Sequence, residues 1–177
     1  MNTNAYTIRA AGFNDAEAIY KLIRQYPREL LPRPINDIVQ NMDRFLVCTI
    51  NDKVVGTVSW QILPEIGASV DPTVEIKSLA VLRKLRQKGI GKQLVTAAIE
   101  KIKELKPLKI IVLTFTPTFF KHIGFKKISK RKLMHKIYAG CINCAKYDSP
   151  FTCPEVAMVL TLREPFLKVK KHRDNTR

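Results

Sequence analysis

Apolar positions along this chain recur at two periods. Ala18, Ile19, Leu22 and Ile23 fall three and four apart and predict a helix over Asp15–Gln25. Asn14 stands before it as a cap, and Glu17 at the third helical position makes half a capping box. Ile90, Leu94, Ala98, Ile102 and Leu105, at spacings of four, four, four and three, mark one face of a longer helix. Tyr6–Ala10 alternates as a strand. Phe45–Ile50 and Val54–Leu63 are β-rich runs joined at Asn51, Asp52 and Lys53, which predicts a hairpin. Gly56 inside the second run predicts a bulge or a close approach. Val74–Val81 is a further strand, and Lys109–Phe115 is apolar enough for burial on both faces, inside a sheet. Phe125–Ile128 and Val156–Leu162 complete the strands. Short helices are expected over Ile35–Met42 and after Pro117, the latter stopped by Gly124. Pro27, Pro32 and Pro34 keep their segment non-helical, and Pro64–Pro72 reads as a loop. This mixture is an α/β pattern. At 177 residues it suits one domain, over 1–163, with a basic polar tail over 164–177.

Charge changes the picture most. Lys plus Arg number 31 against 15 Asp plus Glu, a formal +16. Such a field attracts polyanions: nucleic acid, a nucleotide cofactor or an acidic substrate. It disfavours polyamine substrates. No zinc-finger pair, RNA-binding aromatic motif or basic heptad region is present, which disfavours nucleic acid as a partner. No apolar run approaches eighteen residues, so no membrane partner is expected. The first residues lack a basic-then-apolar signal, and four cysteines without one point to a reducing, cytoplasmic setting.

The chemistry concentrates between Val74 and Leu105. A strand ends in Leu79-Ala80-Val81, and R-Q-K-G-I-G follows over Arg86, Gln87, Lys88, Gly89, Ile90 and Gly91, where the long helix begins. Glycines leave backbone N–H groups open at a helix N-terminus, where the dipole favours anions. Arg83, Lys84 and Lys92 add charge. There is no G-x-x-x-x-G-K-[ST], and Leu94 stands where a dinucleotide motif would need its third Gly. The arrangement resembles the acetyl-CoA signature [QR]-x-x-G-x-[GA] of the GNAT acetyltransferase superfamily. The resemblance implies the GNAT acyl-CoA N-acyltransferase fold: a central, twisted, mixed sheet, helices on both faces, and a splayed strand pair holding acetyl-CoA. It implies that the backbone of Leu79, Ala80 and Val81 meets the pantetheine arm. It places the diphosphate on Arg86 through Gly91, with Lys92 close by. The acetyl group would lie between this strand and Lys109–Phe115.

Three further segments resemble the short, stand-alone acetyltransferases that look like the catalytic domain of N-acetylglutamate synthase. They are T-F-T-P-T-F-F-K-H-I-G-F over Thr114–Phe125, L-L-P-R-P-I-N-D-I around Arg33, and the cysteine-rich run over 135–155. In that family the last reads roughly K-x-W-x-x-C-x-x-C, then C-x-E-x-A-M; here Tyr138 replaces the Trp. The expected reaction is acetyl transfer to the amine of an amino acid, L-glutamate favoured, as in arginine biosynthesis. Another amino acid or a protein amine is the alternative acceptor. From a different class, the chain would be a CoA-binding or nucleic-acid-associated module without turnover, because Phe120 stands where many relatives have a proton-donating Tyr.

An amine attacks only when neutral, so a base is needed. Glu75 is the carboxylate nearest the acyl end, placed by alternation on the same strand face as Leu79. A paired surface glutamate is the plain alternative. Glutamate's two carboxylates call for Arg33, matching the family's basic loop position, and for Lys77, on the face of Glu75. Arg9 reads as structural. Cys141, Cys144, Cys153 and His135 admit three readings: packed thiols, a structural zinc or a redox pair. Packed thiols are preferred, so no metal ligand is assigned. Exchange of the last strand or the cysteine-rich arm between copies would make a homodimer.

Overall fold

The computed structural model describes residues 6–63, 72–144 and 146–162. The expected loop over Pro64–Pro72 and the basic tail fall mostly or wholly outside these.

Seven strands form one sheet: β1 (Thr7–Ala10), β2 (Phe45–Ile50), β3 (Lys53–Leu63), β4 (Thr73–Val81), β5 (Lys109–Thr114), β6 (Lys126–Lys127) and β7 (Val156–Thr161). They lie in the order β1-β2-β3-β4-β5-β7-β6. All neighbours are antiparallel except β4 and β5, which run parallel. The helices are α1 (Ala16–Arg24), α2 (Ile35–Gln40), α3 (Ile90–Glu104), α4 (Pro117–Lys121) and α5 (Met134–Ala139).

Each face of the sheet buries a predicted helical stripe. On one face Ile90, Leu94, Ala98 and Ile102 of α3 pack with Val74, Ile76, Ile110 and Val112. Leu105 of the expected stripe is half exposed, because α3 ends one residue before it. On the other face Ile19 and Ile23 of α1 and Ile38 of α2 meet Phe45 and Val47. The α3 contact needs a small residue beneath it. A Cβ on Gly56 would stand 2.9 Å from Leu94 Cδ1, closer than carbon atoms pack. Gly56 also adjoins a register shift between β2 and β3, so both readings of that glycine hold. Asn51 and Asp52 turn the β2–β3 hairpin with φ of +47° and +58°, the left-handed pair of a type I′ turn.

The start of α1 departs from expectation. Asn14 does not cap it; a 3-10 turn over Phe13–Asp15 precedes it. Asp15 turns inward instead, accepting from the Gly12 N–H (2.8 Å) and from the Arg9 guanidinium (2.7 and 2.9 Å). The Arg9 hydrogen bond, against the opposing effect of burial, holds the Asp15 carboxyl below its ordinary range. Glu17 pairs with Lys21 at 2.6 Å rather than reaching back to the cap. Arg9 is thus structural, as expected.

Two irregularities make room for a ligand. β4 and β5 pair only over Thr73–Glu75 and Lys109–Ile111, and past that point they part. In β4, Lys77 faces Ser59 but Ala80 faces Thr57, so an extra residue intervenes, and Ser78 sits at φ +54°. This bulge resets the alternation. Ala80 then packs towards Leu22 and Tyr26 of the α1 side, and Leu79 packs with the α3 cluster. The expectation that Glu75 and Leu79 share a face is therefore wrong, since counting by twos fails across a bulge.

Candidate active site

Gln87 (φ +64°) and Gly89 (φ +83°) turn the chain into α3. Gly89 is the cap and offers no side chain, so the first N–H groups of this 15-residue helix stay uncovered. Lys84, Lys88 and Lys92 stand exposed around them. The arrangement is an anion cradle. Arg86 is committed in part: it pairs with Glu29 at 2.9 Å and lies 4.4 Å over the Tyr26 ring. The Tyr26 hydroxyl donates to the Val81 carbonyl at 2.8 Å, tying the end of β4 to the segment after α1.

A slot of about 140 Å³ lies in the gap between β4 and β5, lined by Leu79, Val112, Thr114, Thr116 and Phe120 among others. Phe120 is buried, edge-on to Phe119 and Phe125 at 5.0 and 5.4 Å, and offers no proton. Thr114 and Thr116 bring hydroxyls to the slot, 3.1 Å apart. A larger cavity of about 330 Å³ adjoins it. Lys77, Ser78, Leu113 and Phe115 line both spaces, so the two meet there.

The cavity gathers Glu75, Lys77 and Arg33, three of the residues expected from the sequence. Glu75 is 4% exposed. Its Oε2 lies 2.8 Å from Lys136 Nζ, an ion pair off the line of a hydrogen bond. Burial pulls the Lys136 ammonium down, but the Glu75 carboxylate raises it more, so Lys136 stays charged. Lys77 donates to Gln61 Oε1 at 2.9 Å. Burial lowers its pKa, and Arg33 and Lys136 lower it further, against a smaller opposite pull from Glu75. Arg33 is held on three sides. Its Nε meets Asp37 at 2.5 Å, its Nη1 donates to Ser78 (3.2 Å) and Ser59 (3.3 Å), and its plane lies 5.3 Å from the Phe45 ring.

The cysteine-rich arm after α5 closes the cavity. Cys141, Cys144, Cys153 and Glu155 face into it. Lys146 Nζ ties the arm to the loop after α1 through the Pro27 and Arg28 carbonyls, at 3.2 and 2.8 Å. Lys130 donates to the Pro150 carbonyl at 3.0 Å and also to that of Cys153. All four cysteines are free thiols. Burial pushes the Cys141 and Cys153 thiols up, which leaves them protonated and poor nucleophiles near neutrality. Among the described residues no group of three or more His, Cys, Asp or Glu is placed to hold a metal ion. Burial likewise raises the Glu155 carboxyl.

Sequence reasoning missed Lys136, Glu155 and the Ser78 bulge. Lys136 had a signal, since it is the lysine that opens the K-x-W-x-x-C run. The bulge had none.

Residues 14–125 match the model of the acetyltransferase (GNAT) family. The chain belongs to that family. As a GNAT acetyltransferase it is an acetyl-CoA-dependent N-acyltransferase. An uncharacterised N-acetyltransferase of Chlorobaculum tepidum is 35% identical over 157 residues, 88% of this chain and 96% of that one. An amino-acid acetyltransferase of Mycobacterium tuberculosis is 27% identical, over 80% of this chain and 79% of that one. Among solved structures, a Mycobacterium tuberculosis protein in complex with CoA and a second ligand superposes with a TM-score of 0.73 at 24% identity, covering 89% of this GNAT chain and 99% of that one. N-acetylglutamate synthase of Neisseria gonorrhoeae, complexed with coenzyme A and N-acetyl-glutamate, gives a TM-score of 0.72 at 21% identity; 92% of this chain covers 36% of that longer one.

Proposed function

We propose that this acetyltransferase transfers acetyl from acetyl-CoA to the α-amine of a free amino acid, with L-glutamate as the favoured acceptor. One observation carries the reading: the acceptor side is a walled cavity of about 330 Å³, lined by Arg33, Lys77 and Lys136 and opening onto the acetyl slot. That volume lies at the small end of small-molecule sites. The arm, held by Lys130 and tied by Lys146 to the loop after α1, disfavours a peptide or protein amine. Three cations suit an acceptor bearing two carboxylates. The naming of the mycobacterial relative as an amino-acid acetyltransferase supports the same class.

In this reading the diphosphate rests on the open N–H groups of α3 and on Lys88 and Lys92. The backbone of Leu79, Ala80 and Val81 holds the pantetheine arm, and the thioester reaches the junction by Lys77 and Phe115. The acceptor's ammonium gives a proton to the Glu75 carboxylate. The neutral nitrogen attacks the thioester carbon, the new C–N bond forms, and the C–S bond breaks. The CoA thiolate leaves and takes up the second nitrogen proton. A backbone N–H of β4 beside that junction would meet the developing oxyanion. A thiol-release assay with acetyl-CoA and the twenty amino acids tests the reading. Glutamate should give the highest kcat/KM, and turnover of no free amino acid would refute it.

A further inference from the structure

The Lys136–Glu75 pair has more to do than join α5 to the sheet. The arm is already anchored without it. Leu133 and Ile137, on either side of Lys136, are 1% and 4% exposed, and Lys130 and Lys146 fasten the arm at two other places. Both members of the pair line the acceptor cavity. Their side chains are 12% and 5% exposed, so neither charge is shielded by much water. The pair also sets a chemical conflict. The Lys136 ammonium stands 2.8 Å from Glu75 Oε2, inside the cavity where the acceptor's amine would have to meet that carboxylate. Lys136 and the incoming amine therefore compete for the same carboxylate.

The acceptor itself can do so. In an α-amino acid the amine and the α-carboxylate hang from one carbon. An amine brought to Glu75 therefore carries its α-carboxylate within reach of the ammonium beside Glu75. The side-chain carboxylate of glutamate, further along the molecule, is then left for Arg33, which lines the cavity from the segment before α2.

We propose that Lys136 recognises the acceptor's α-carboxylate, and that this exchange of partners releases Glu75 to take the proton of the α-amine. This rests on the proposed amino-acid acetyltransferase reading and adds to it a substrate-released base. The device makes an α-carboxylate a requirement for fast turnover as well as for binding. An amine without one leaves Glu75 paired.

The test compares L-glutamate with 4-aminobutyrate, which is glutamate lacking only its α-carboxylate, in wild type, Lys136→Met and Lys136→Arg. Wild type should favour glutamate in kcat as well as in KM. Lys136→Met should reduce the glutamate to 4-aminobutyrate ratio of kcat/KM by about ten- to a hundredfold, the range of a charge-assisted hydrogen bond. Lys136→Arg should recover most of the ratio. A purely structural Lys136 would weaken both acceptors together and leave the ratio alone. Calorimetric binding of CoA, read at the distant cradle, certifies the fold of each variant. Should Lys136→Met fail that check, Lys136→Gln, which keeps a donor for Glu75, is read for the same ratio. An unchanged ratio in a CoA-binding variant overturns the role of Lys136 while leaving the amino-acid reading intact. If wild type prefers a different amino acid, that acid and its own decarboxylated amine replace the pair. If wild type acetylates no amino acid, the functional reading falls and Lys136 with it.

Discussion

The cradle and the acceptor cavity are built in opposite ways. The cradle is local. Arg83 to Lys92 supply it from ten consecutive positions, and its main donors are backbone N–H groups that any sequence with Gly89 in the left-handed region could present. The cavity is assembled. Arg33, Glu75, Lys77, Lys136 and Glu155 come from the segment before α2, from β4, from α5 and from the arm before β7. Backbone recognition suits a cosubstrate shared by a whole family. Side chains drawn from separate loops can change one at a time, which suits an acceptor that differs among members.

Mutations should separate the two regions. Glu75→Gln keeps the shape of the buried residue and removes the proton acceptor. It should lower kcat by about a hundredfold or more, with acetyl-CoA affinity by calorimetry unchanged. A comparable kcat in the variant would remove Glu75 from the chemistry. Gly91→Asp should act the other way. A Cβ there would stand 3.6 Å from the Phe119 ring and 3.9 Å from Val81, which is ordinary contact, so the fold should survive. The carboxylate would face the diphosphate, and CoA affinity should fall by about tenfold or more. Wild-type CoA binding in a folded Gly91→Asp protein would move the diphosphate off the start of α3.

That division also decides what the sequence disclosed. The strand, turn and helix of this region were legible because their signal is contiguous: a strand, R-Q-K-G-I-G, and a helix whose stripe from Ile90 to Ile102 is buried as its spacing required. The hairpin at Asn51 and Asp52 and the close approach at Gly56 were readable for the same reason. The cavity was legible only in parts. Glu75 and Lys77 lie two apart on one strand, so alternation placed them together. Alternation then failed at Ser78, whose bulge obeys the pairing of β3 with β4 and leaves no mark on residue type. Lys136 and Asp37 were missed because their importance lies in their partners, Glu75 and Arg33, which are 61 and 4 positions away. Asn14 fits a helix cap by type, but Asp15 and Arg9 form a better-satisfied network and the helix starts later.

Arg33 sharpens the contrast from the cavity side. Its guanidinium keeps Asp37 on Nε and two serines on Nη1, so its positive charge is partly offset before any acceptor arrives. Arg33→Ala should raise KM for glutamate by about tenfold, the lower end for a charge-assisted contact. Little change is expected in kcat, since an interaction equal in ground and transition states appears in KM. KM for acetyl-CoA should not follow. Glutamine should lose less than glutamate if Arg33 meets the side-chain carboxylate. Equal losses would assign it the α-carboxylate, and with it the place given to Lys136. Lys at this position should restore only part, lacking the planar fork.

The smallest expected difference is one of pH, and it turns on Lys77. Burial, reinforced by Arg33 and Lys136, lowers its pKa in the folded protein. A lysine lowered in this way loses its charge, as pH rises, before an exposed lysine would. Loss of that charge removes one cation from the cavity, so an anionic ligand should bind more weakly on the alkaline side. The amine of glutamate also titrates there, so the suitable ligand is N-acetyl-L-glutamate, whose two carboxylates stay ionised throughout. Its affinity for the CoA-loaded enzyme, measured by calorimetry from neutral to alkaline pH, should fall a few-fold. The affinity for CoA alone should hold over the same interval, because the cradle relies on backbone N–H groups and on exposed lysines. Lys77→Arg, which keeps its charge at every pH reached, should flatten the fall. A decline of equal size at both sites, or one that persists in Lys77→Arg, would trace the effect to the protein's overall charge rather than to the cavity.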